Sequence, residues 1–339
     1  MFCGRRTTKQ IADPRSAIQM MRIIFMGTGD IGLPSFRFLL KTAGCEVLAV
    51  FTQPDKPAGR KLELRPSEIK RVALESGVRV LQPIKLRAPE SVAEVAALAP
   101  DLIVVVAYGQ ILPKSVLQIP PLACLNLHAS LLPRHRGAAP IQAAMEAGDA
   151  VTGITVMYMA EGLDTGDILL KKETPIFRRD TGGVLHDRLG LLAAEALAEA
   201  LPLLAAGRAP RIPQDESLAT YAAKLTRENG EIAWADTAEK IDRRIRAMNP
   251  WPGAYTWFPT SEGARKLKVF SCIRHRKESG PPGAVLRADR RGILVGAGGG
   301  AVLLRDIQME GKRRMTAGEF IQGHPAAAGT ILGHRPPAS

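Results

Sequence analysis

The residues best suited to chemistry are an asparagine and a histidine two positions apart in the stretch CLNLHAS, Asn126 and His128. Alternate side chains of a strand project to one face, so both would face one site while the flanking leucines face away. The loop EGLDTGD then supplies Asp164, thirty-six residues after the histidine. An amide, an imidazole and a carboxylate suit direct acyl transfer between two bound substrates, with no metal and no nucleophilic Ser or Cys. A histidine in a strand also often has only a structural role, and spacing alone does not decide between the two.

The elements that must position this trio alternate between short β-branched runs and helical segments. The strand-like runs are RIIFMG, EVLAVFT, RVLQP, DLIVVVAYG, CLNLHAS and TGITVMYM, and the helices are predicted near 33–42, 67–75, 89–98 and 184–204. This alternation predicts an α/β fold with a mostly parallel sheet, in which ligands bind at the carboxyl ends of the strands. Asn126 and His128 lie near such an end, and Gly162 and Gly166 would let the next loop turn and aim Asp164 over the sheet.

The character of the chain changes after the helix predicted at 184–204. The stretch GRAPRIPQDES predicts an inter-domain linker over 208–226. A short helix and the breaker NPWPG follow, and then the strand-like runs AYTWF, KLKVFSCI, GILVGA and AVLLRDI, with Gly and Pro between them. The pattern predicts a small β-barrel or sandwich domain at 227–339 behind a larger α/β domain at 21–207.

A glycine motif, GTGDIG at 27–32, follows the first strand and opens a helix, as in dinucleotide-binding folds. Such a site also needs an acidic residue at the end of the second strand, to bind the ribose. That strand ends here in Gln53 and Pro54, with Asp55 beyond them in a loop. We therefore favour a tight structural turn, and keep an NAD(P)-dependent oxidoreductase as the alternative from another functional class.

The composition of the chain also indicates a binding partner. The formal charge is +13, and residues 240–339 alone hold eighteen Lys/Arg against seven Asp/Glu. That asymmetry indicates a polyanion such as nucleic acid, although a solvated basic surface would look the same. The four cysteines are scattered without CxxC spacing, which argues against a zinc site or disulfides. No stretch is apolar enough to span a membrane, so we expect a cytoplasmic protein.

The first twenty residues, MFCGRRTTKQIADPRSAIQM, lack the apolar core of a secretory signal. They are rich in Arg and poor in acidic residues, which weakly suits an organellar transit peptide. We expect them to be an extension outside the fold, and Met20 or Met21 to be the true start.

The segment NLHASLLPRHRGAAPIQAAMEAGDAVTGITVMYMAEGLDTGDILL resembles the signature region of the folate-dependent formyltransferases, most closely of the members that act on methionyl-tRNA. Further segments resemble the same enzymes in the same order: MRIIFMGTGD, AVFTQPDKPAGR, DLIVVVAYGQILP, TYAAKLTRENGEI and IRAMNPWPGA. The resemblance runs from about residue 21 to the C-terminal strands. It implies a Rossmann-like formyltransferase domain followed by an OB-like β-barrel.

The resemblance also implies a reaction, in which the formyl group of 10-formyltetrahydrofolate moves to the α-amino group of methionine on initiator tRNA. Asn126, His128 and Asp164 would be the catalytic residues. The folate would be contacted by Ser130, Leu131, Leu132 and Pro133. Basic residues that would contact tRNA phosphates are Arg60, Lys61, Lys266, Lys268, Arg274, Lys312, Arg313 and Arg314.

The sequence departs from the family pattern in places. Leu62 and Glu63 stand where relatives often carry further lysines, and His135 stands where an aromatic is frequent and is expected not to touch the trio. Arg134 and Arg136, beside the expected pocket, could serve the tRNA, the folate tail or local packing.

Other functions stay open, namely formylation of another amine such as an amino-sugar nucleotide, or RNA binding by a degenerate enzyme domain. We expect a monomer.

Overall fold

The structure is a computed structural model that describes residues 20–58 and 63–334. The expectations for residues 1–19 and for the tRNA contacts Arg60 and Lys61 lie outside the described residues. Within the described ranges, no helix combines the length and the apolar character that crossing a bilayer requires.

The first part of the chain forms ten strands and six helices over its described residues. The strands are β1 (Met21–Gly27), β2 (Cys45–Phe51), β3 (Lys56–Ala58), β4 (Glu63–Arg65), β5 (Arg79–Leu81), β6 (Leu102–Val106), β7 (Ala123–His128), β8 (Arg136–Gly137), β9 (Val151–Tyr158) and β10 (Ile168–Pro175). The helices are α1 (Leu33–Lys41), α2 (Glu68–Glu75), α3 (Pro89–Ala97), α4 (Lys114–Leu117), α5 (Pro140–Ala147) and α6 (Gly182–Ala205).

Seven of these strands make one twisted sheet in the order β10-β9-β7-β6-β1-β2-β5. Only β9 runs against the others, because it pairs antiparallel with both β7 and β10. The central strand β6 is buried at every position, as its uninterrupted apolar sequence predicts. The mostly parallel α/β fold expected from the sequence is confirmed.

The long helix α6 covers one face of this sheet. Its first turn is capped by Thr181, whose side chain accepts a hydrogen bond from the backbone N–H of Val184. An apolar stripe that includes Leu185, Leu189 and Leu197 is fully buried and belongs to the main core. The helix therefore supports β9 and β10, the two strands that flank the loop carrying Asp164.

The sheet of the C-terminal part is antiparallel. The elements of this part are β11 (Tyr221–Ala222), α7 (Ala238–Ala247), β12 (Tyr255–Thr260), β13 (Gly263–His275), β14 (Val285–Asp289), β15 (Gly292–Gly296), β16 (Ala301–Met309), β17 (Met315–Thr316) and α8 (Ala317–Gly323). The sheet has the order β12-β13-β16-β15-β14, with β17 added to β16. Irregular register around Ser271 interrupts the long strand β13, and such bulges bend a strand. The curled sheet is an OB-like half-barrel around its own core, which includes Phe258, Leu304 and Phe320.

The glycine motif at 27–32 is a structural turn. The backbone N–H groups of Thr28 and Gly29 both donate to the carbonyl oxygen of Ala107, and that of Gly32 donates to Gly29. A dinucleotide pyrophosphate would need such N–H groups free. A Cβ at Gly27 would lie 2.7 Å from a ring carbon of Phe25 and 3.0 Å from the Val106 carbonyl, so this glycine allows close packing of β1 on β6. The interpretation favoured from the sequence holds.

The two parts of the chain pack closely on each other. The guanidinium of Arg244 on α7 donates to Glu146 on α5 at 2.9 Å, and the N–H of Gly183 donates to Asn249 O at 2.9 Å. Gly182 opens α6 directly against the carbonyl oxygen of Ala247, which a Cβ at this position would overlap. The backbones at the start of α6 and the end of α7 are therefore in direct contact, with no side chain of residue 182 between them.

We expect Gly182→Ala to destabilise the protein by about 1–3 kcal/mol, because the added methyl group forces the two helices apart. Alanine would otherwise favour the helix by about 1 kcal/mol relative to glycine, so a net destabilisation reports on the close packing. The shift of the urea unfolding midpoint measures it. The control Gly323→Ala, at the end of α8, places its methyl group in open space and is expected to leave stability unchanged or to raise it by at most about 1 kcal/mol. Equal midpoints for Gly182→Ala and the unchanged protein would contradict this account.

Candidate active site

Asn126 and His128 lie at the carboxyl end of β7, between β6 and β9. Asn126 is half-buried and His128 is 6% exposed. Leu125 precedes Asn126, and Leu127 lies between Asn126 and His128. Both leucines belong to the main apolar core on the other face of the sheet. The period of two along this strand therefore puts the polar pair on one side, as the sequence predicts.

Asp164 lies in the loop between β9 and β10 and has a left-handed backbone, with φ of 53°. Neither Gly162 nor Gly166 has a positive φ, so the left-handed turn of this loop is not made by its glycines. They are needed for close approach instead, since a Cβ on Gly166 would overlap the Tyr158 carbonyl oxygen and one on Gly162 would overlap the Thr165 hydroxyl. The turn that aims the carboxylate is made by the aspartate itself, a residue type that tolerates this conformation.

The three side chains converge on one another. Asn126 Nδ2 donates to Asp164 Oδ1 at 3.3 Å, and His128 Nδ1 lies 3.6 Å from Asp164 Oδ2. The same Oδ2 accepts from the backbone N–H of Gly137 at 2.8 Å. The separation of imidazole and carboxylate is too long for a full hydrogen bond but is an ion-pair distance. The arrangement can hold an imidazolium beside a carboxylate and present one further amide N–H of Asn126 to a substrate oxygen.

The proton position on His128 follows from its other partner. Nε2 lies 2.9 Å from the backbone carbonyl oxygen of His135, which can only accept, so Nε2 carries a proton. His135 presents this oxygen from a left-handed backbone with φ of 58°, and its own ring contacts Asp149 at 2.7 Å. The expectation that His135 does not touch the trio is therefore wrong. The contact is made by its backbone, which a comparison of side-chain types does not reveal.

The four residues expected to contact folate form the turn after β7. Ser130 is fully buried, its hydroxyl donates to Arg134 O at 2.6 Å, and its carbonyl accepts from Thr155 Oγ1 at 2.7 Å. Leu132 is also fully buried, and its N–H donates to Thr155 Oγ1 at 3.1 Å. Leu131 and Pro133 are half-buried. Ser130 and Leu132 thus hold the turn in place, and Leu131 and Pro133 are the two whose side chains reach its surface.

The two arginines of this turn have different partners. Arg134 is about half exposed and pairs with Asp149 at 2.8 Å. Arg136 is completely buried and binds Glu216 with both terminal nitrogens, at 2.7 and 2.8 Å. Its hydrogen bonds to Glu216 raise the pKa of the guanidinium and lower the pKa of the carboxyl. Of the three roles left open, Arg136 therefore serves local packing.

Arg136 also bonds a residue that no sequence pattern singles out. Gln214 Oε1 accepts from the guanidinium, and Gln214 Nε2 donates to the carbonyl oxygens of Asp164 and Gly166. This glutamine belongs to the segment predicted as a linker, which also pairs with the strands around Asp164: β11 adds to β8, and Ile212 bridges to Ile168. The one signal in the sequence was a polar run, QDES, inside a Gly/Pro-rich stretch.

The basic residues expected to contact tRNA divide into two groups. Lys268 pairs in register with Gln308, whose side chain donates to Lys312 O at 2.8 Å, so Lys268 lies beside the turn at 312–314. We call this part of the half-barrel surface the basic edge. Lys266 sits over the rings of Tyr255 and Trp257 close by, and Arg314 over that of Phe270. Among the described residues, no carboxylate forms an ion pair with Lys268, Lys312 or Arg313.

Arg274 is separate from this edge. It lies farther along β13, opposite Val302, and is one of the less exposed cations, paired with Glu239 at 3.2 Å and near Asp242 at 3.8 Å. The structure therefore brings together all but one of the described residues expected to contact tRNA.

Comparisons with known proteins extend these observations to the whole chain. The family model "Formyl transferase" matches residues 21–201, and the model "Formyl transferase, C-terminal domain" matches residues 224–325. A protein of Geotalea daltonii named methionyl-tRNA formyltransferase is 48% identical over 315 residues, which are 93% of this chain and 99% of that protein. The protein of that name from Symbiobacterium thermophilum is 50% identical over 312 residues, covering 92% and 95% of the two chains.

A solved structure shows the same fold at low identity. WlaRD, a sugar 3N-formyl transferase crystallised in the presence of dTDP and 5-N-formyl-THF, superimposes with a TM-score of 0.63 at 16% identity, over 87% of this chain and all of that one. With both family models in chain order and relatives near half identity over almost the full length, the chain belongs to the formyl transferase family.

Proposed function

We propose that this protein transfers the formyl group of 10-formyltetrahydrofolate to the α-amino group of methionyl-initiator tRNA. The observation that carries the proposal is the convergence of Asn126, His128 and Asp164 at the carboxyl end of β7. It is supported by 48–50% identity, over more than nine-tenths of this chain, to proteins named methionyl-tRNA formyltransferase. The sugar N-formyltransferase shares the fold at 16% identity, which gives no reason to prefer an amino-sugar acceptor.

The reaction needs little covalent chemistry from the protein. The unprotonated amine attacks the formyl carbon, a new C–N bond forms, and the bond from that carbon to N10 of the folate breaks. The amine loses one proton and N10 gains one, so the reaction is balanced without a further reactant. The tetrahedral intermediate carries an oxyanion, and stabilising that charge is the main task of the site.

The geometry assigns a role to each member of the trio. Asn126 has one amide N–H bonded to Asp164 and a second available for the formyl oxygen. His128 faces the Asp164 carboxylate through Nδ1 and the His135 carbonyl oxygen through Nε2, so both ring nitrogens meet acceptors, as an imidazolium requires. Asp164 is itself fixed by the Gly137 N–H. The oxyanion would thus form beside one oriented dipole and one positive charge.

We infer that the chain divides into a catalytic domain at 21–207, a connecting segment at 208–226 and an OB-like tRNA-binding domain at 227–339. The basic edge formed by Lys266, Lys268 and the turn at 312–314 would contact tRNA phosphates. The edge is on the C-terminal half-barrel, where the excess of positive charge in the sequence also lies.

Incubation with 10-formyltetrahydrofolate and charged methionyl-tRNA tests the activity directly. We expect formyl-methionine on initiator methionyl-tRNA and much less on elongator methionyl-tRNA, measured after hydrolysis of the ester bond. A dTDP-amino-sugar in place of the tRNA is the control acceptor and should give no product. Absence of product with both tRNAs would contradict the proposal.

Substitutions in the trio test the assignment of roles. Asp164→Asn and His128→Ala are each expected to lower the single-turnover rate by about 10²- to 10⁴-fold, because each removes charge stabilisation at the oxyanion. The affinity for methionyl-tRNA, measured by filter binding, should change by less than about threefold. Both groups are expected to act in the transition state and not in binding the tRNA. His275→Ala, at a histidine paired with Glu278 in the half-barrel, is the control. Full activity in either trio variant would refute the assignment.

Removal of the charges on the proposed tRNA edge tests that surface. The double substitution Lys268→Ala and Lys312→Ala should weaken tRNA binding and lower the slope of log K against log salt by about 0.7–0.9 for each phosphate that is no longer neutralised. Single-turnover rates at saturating tRNA should stay unchanged. Arg290→Ala with Arg291→Ala removes the same charge from the β14–β15 turn and serves as control. Equal slopes in the two double variants would show that the binding surface is elsewhere.

A further inference from the structure

Gln214 uses every hydrogen-bonding position of its amide. Oε1 accepts from Arg136 Nε at 3.1 Å and from Arg136 Nη2 at 2.8 Å. Nε2 donates to the carbonyl oxygens of Asp164 and Gly166, both at 2.8 Å. An amide has two acceptor lone pairs and two N–H groups, so the side chain is fully satisfied.

The orientation of this amide is fixed by the chemistry of its partners. A guanidinium only donates and a backbone carbonyl only accepts, so exchange of the amide oxygen and nitrogen would break all four hydrogen bonds. The guanidinium is in turn held by the bidentate contact with Glu216 and is completely buried. Gln214 is therefore a rigid connector between a buried cation and the loop that carries Asp164.

The carbonyl groups that Gln214 holds belong to Asp164 itself and to the residue two positions later. Asp164 has φ of 53°, a conformation that a non-glycine residue adopts at a cost of about 1 kcal/mol or more. Its backbone is held by Gln214, and its carboxylate is held by the N–H of Gly137, the neighbour of Arg136. Both ends of the aspartate are thus tied to the same short strand, β8.

We propose that Gln214 is a positioning residue for formyl transfer, which holds the backbone of Asp164 so that the carboxylate faces His128. The inference rests on the proposed function, and it gives the segment at 208–226 a part in catalysis as well as in connecting two domains. Gln214 touches no reacting atom and acts through Asp164. Displacement of a catalytic group by about 1 Å can lower a rate about 10²-fold, so the effect should be large.

Gln214→Glu separates positioning from mere attachment of the segment. Glutamate keeps the acceptor toward Arg136 and adds an ion pair, but it turns two N–H donors into an oxygen that faces two carbonyl oxygens. A purely structural role predicts normal activity for this variant. Positioning predicts that kcat falls by at least about tenfold, with KM for methionyl-tRNA and for 10-formyltetrahydrofolate each within about threefold. Gln214→Met, of similar length, should also lower kcat because it makes none of the four hydrogen bonds.

A double-mutant cycle with Asp164→Asn then tests the path of the effect. If Gln214 acts through Asp164, adding Gln214→Glu to Asp164→Asn should lower the single-turnover rate less than about threefold further. Gln322→Glu and Gln322→Met, on the exposed surface of α8, are matched controls. Multiplicative effects on the rate, an effect on KM alone, unchanged kcat in Gln214→Glu, or an unfolded Gln214→Glu by circular dichroism would each overturn the inference. Absence of activity in the unchanged protein would instead refute the proposed function.

Discussion

The candidate active site depends on one backbone conformation, the left-handed φ of 53° at Asp164. That conformation turns the carboxylate from the β9–β10 loop toward the end of β7, where Asn126 and His128 lie. A residue with a Cβ stays there only if its surroundings hold it. Hydrogen bonds from Gly137 and Gln214, and the close approach of Gly166 to Tyr158, provide that support.

A second left-handed residue, His135, completes the same arrangement from the other side. Its carbonyl oxygen fixes the proton on His128 Nε2, which leaves Nδ1 toward Asp164. Between His135 and Gly137 lies Arg136, buried because its charge is met by Glu216 and by the amide of Gln214. A buried charge is stable only when it is paired and hydrogen-bonded in this way. Three consecutive residues therefore connect the histidine, the aspartate and the connecting segment.

The glycine motif at 27–32, typical of dinucleotide sites, has a structural use in this protein. Its N–H groups bond Ala107, and its first glycine allows β1 to pack on β6. The candidate catalytic residues lie instead near the carboxyl end of the parallel strand β7, where α/β folds place their ligands, and on the loop that follows the antiparallel strand β9. The fold and the candidate catalytic residues thus indicate the same site, whereas the glycine motif at 27–32 does not mark it.

The sequence by itself determined most of the strands and helices, although not α5 or β10, and also the shared face of Asn126 and His128 and the basic C-terminal part, because periodicity and charge are local properties. It did not determine that β9 runs antiparallel, that Arg136 is buried while Arg134 is half exposed, or that Gln214 reaches Asp164. Those features join residues up to 80 positions apart, and nothing in a basic run or a proline-containing segment distinguishes a solvated side chain from a buried one. Only the tertiary structure decided them, since it alone brings the carbonyl groups and carboxylates to these side chains.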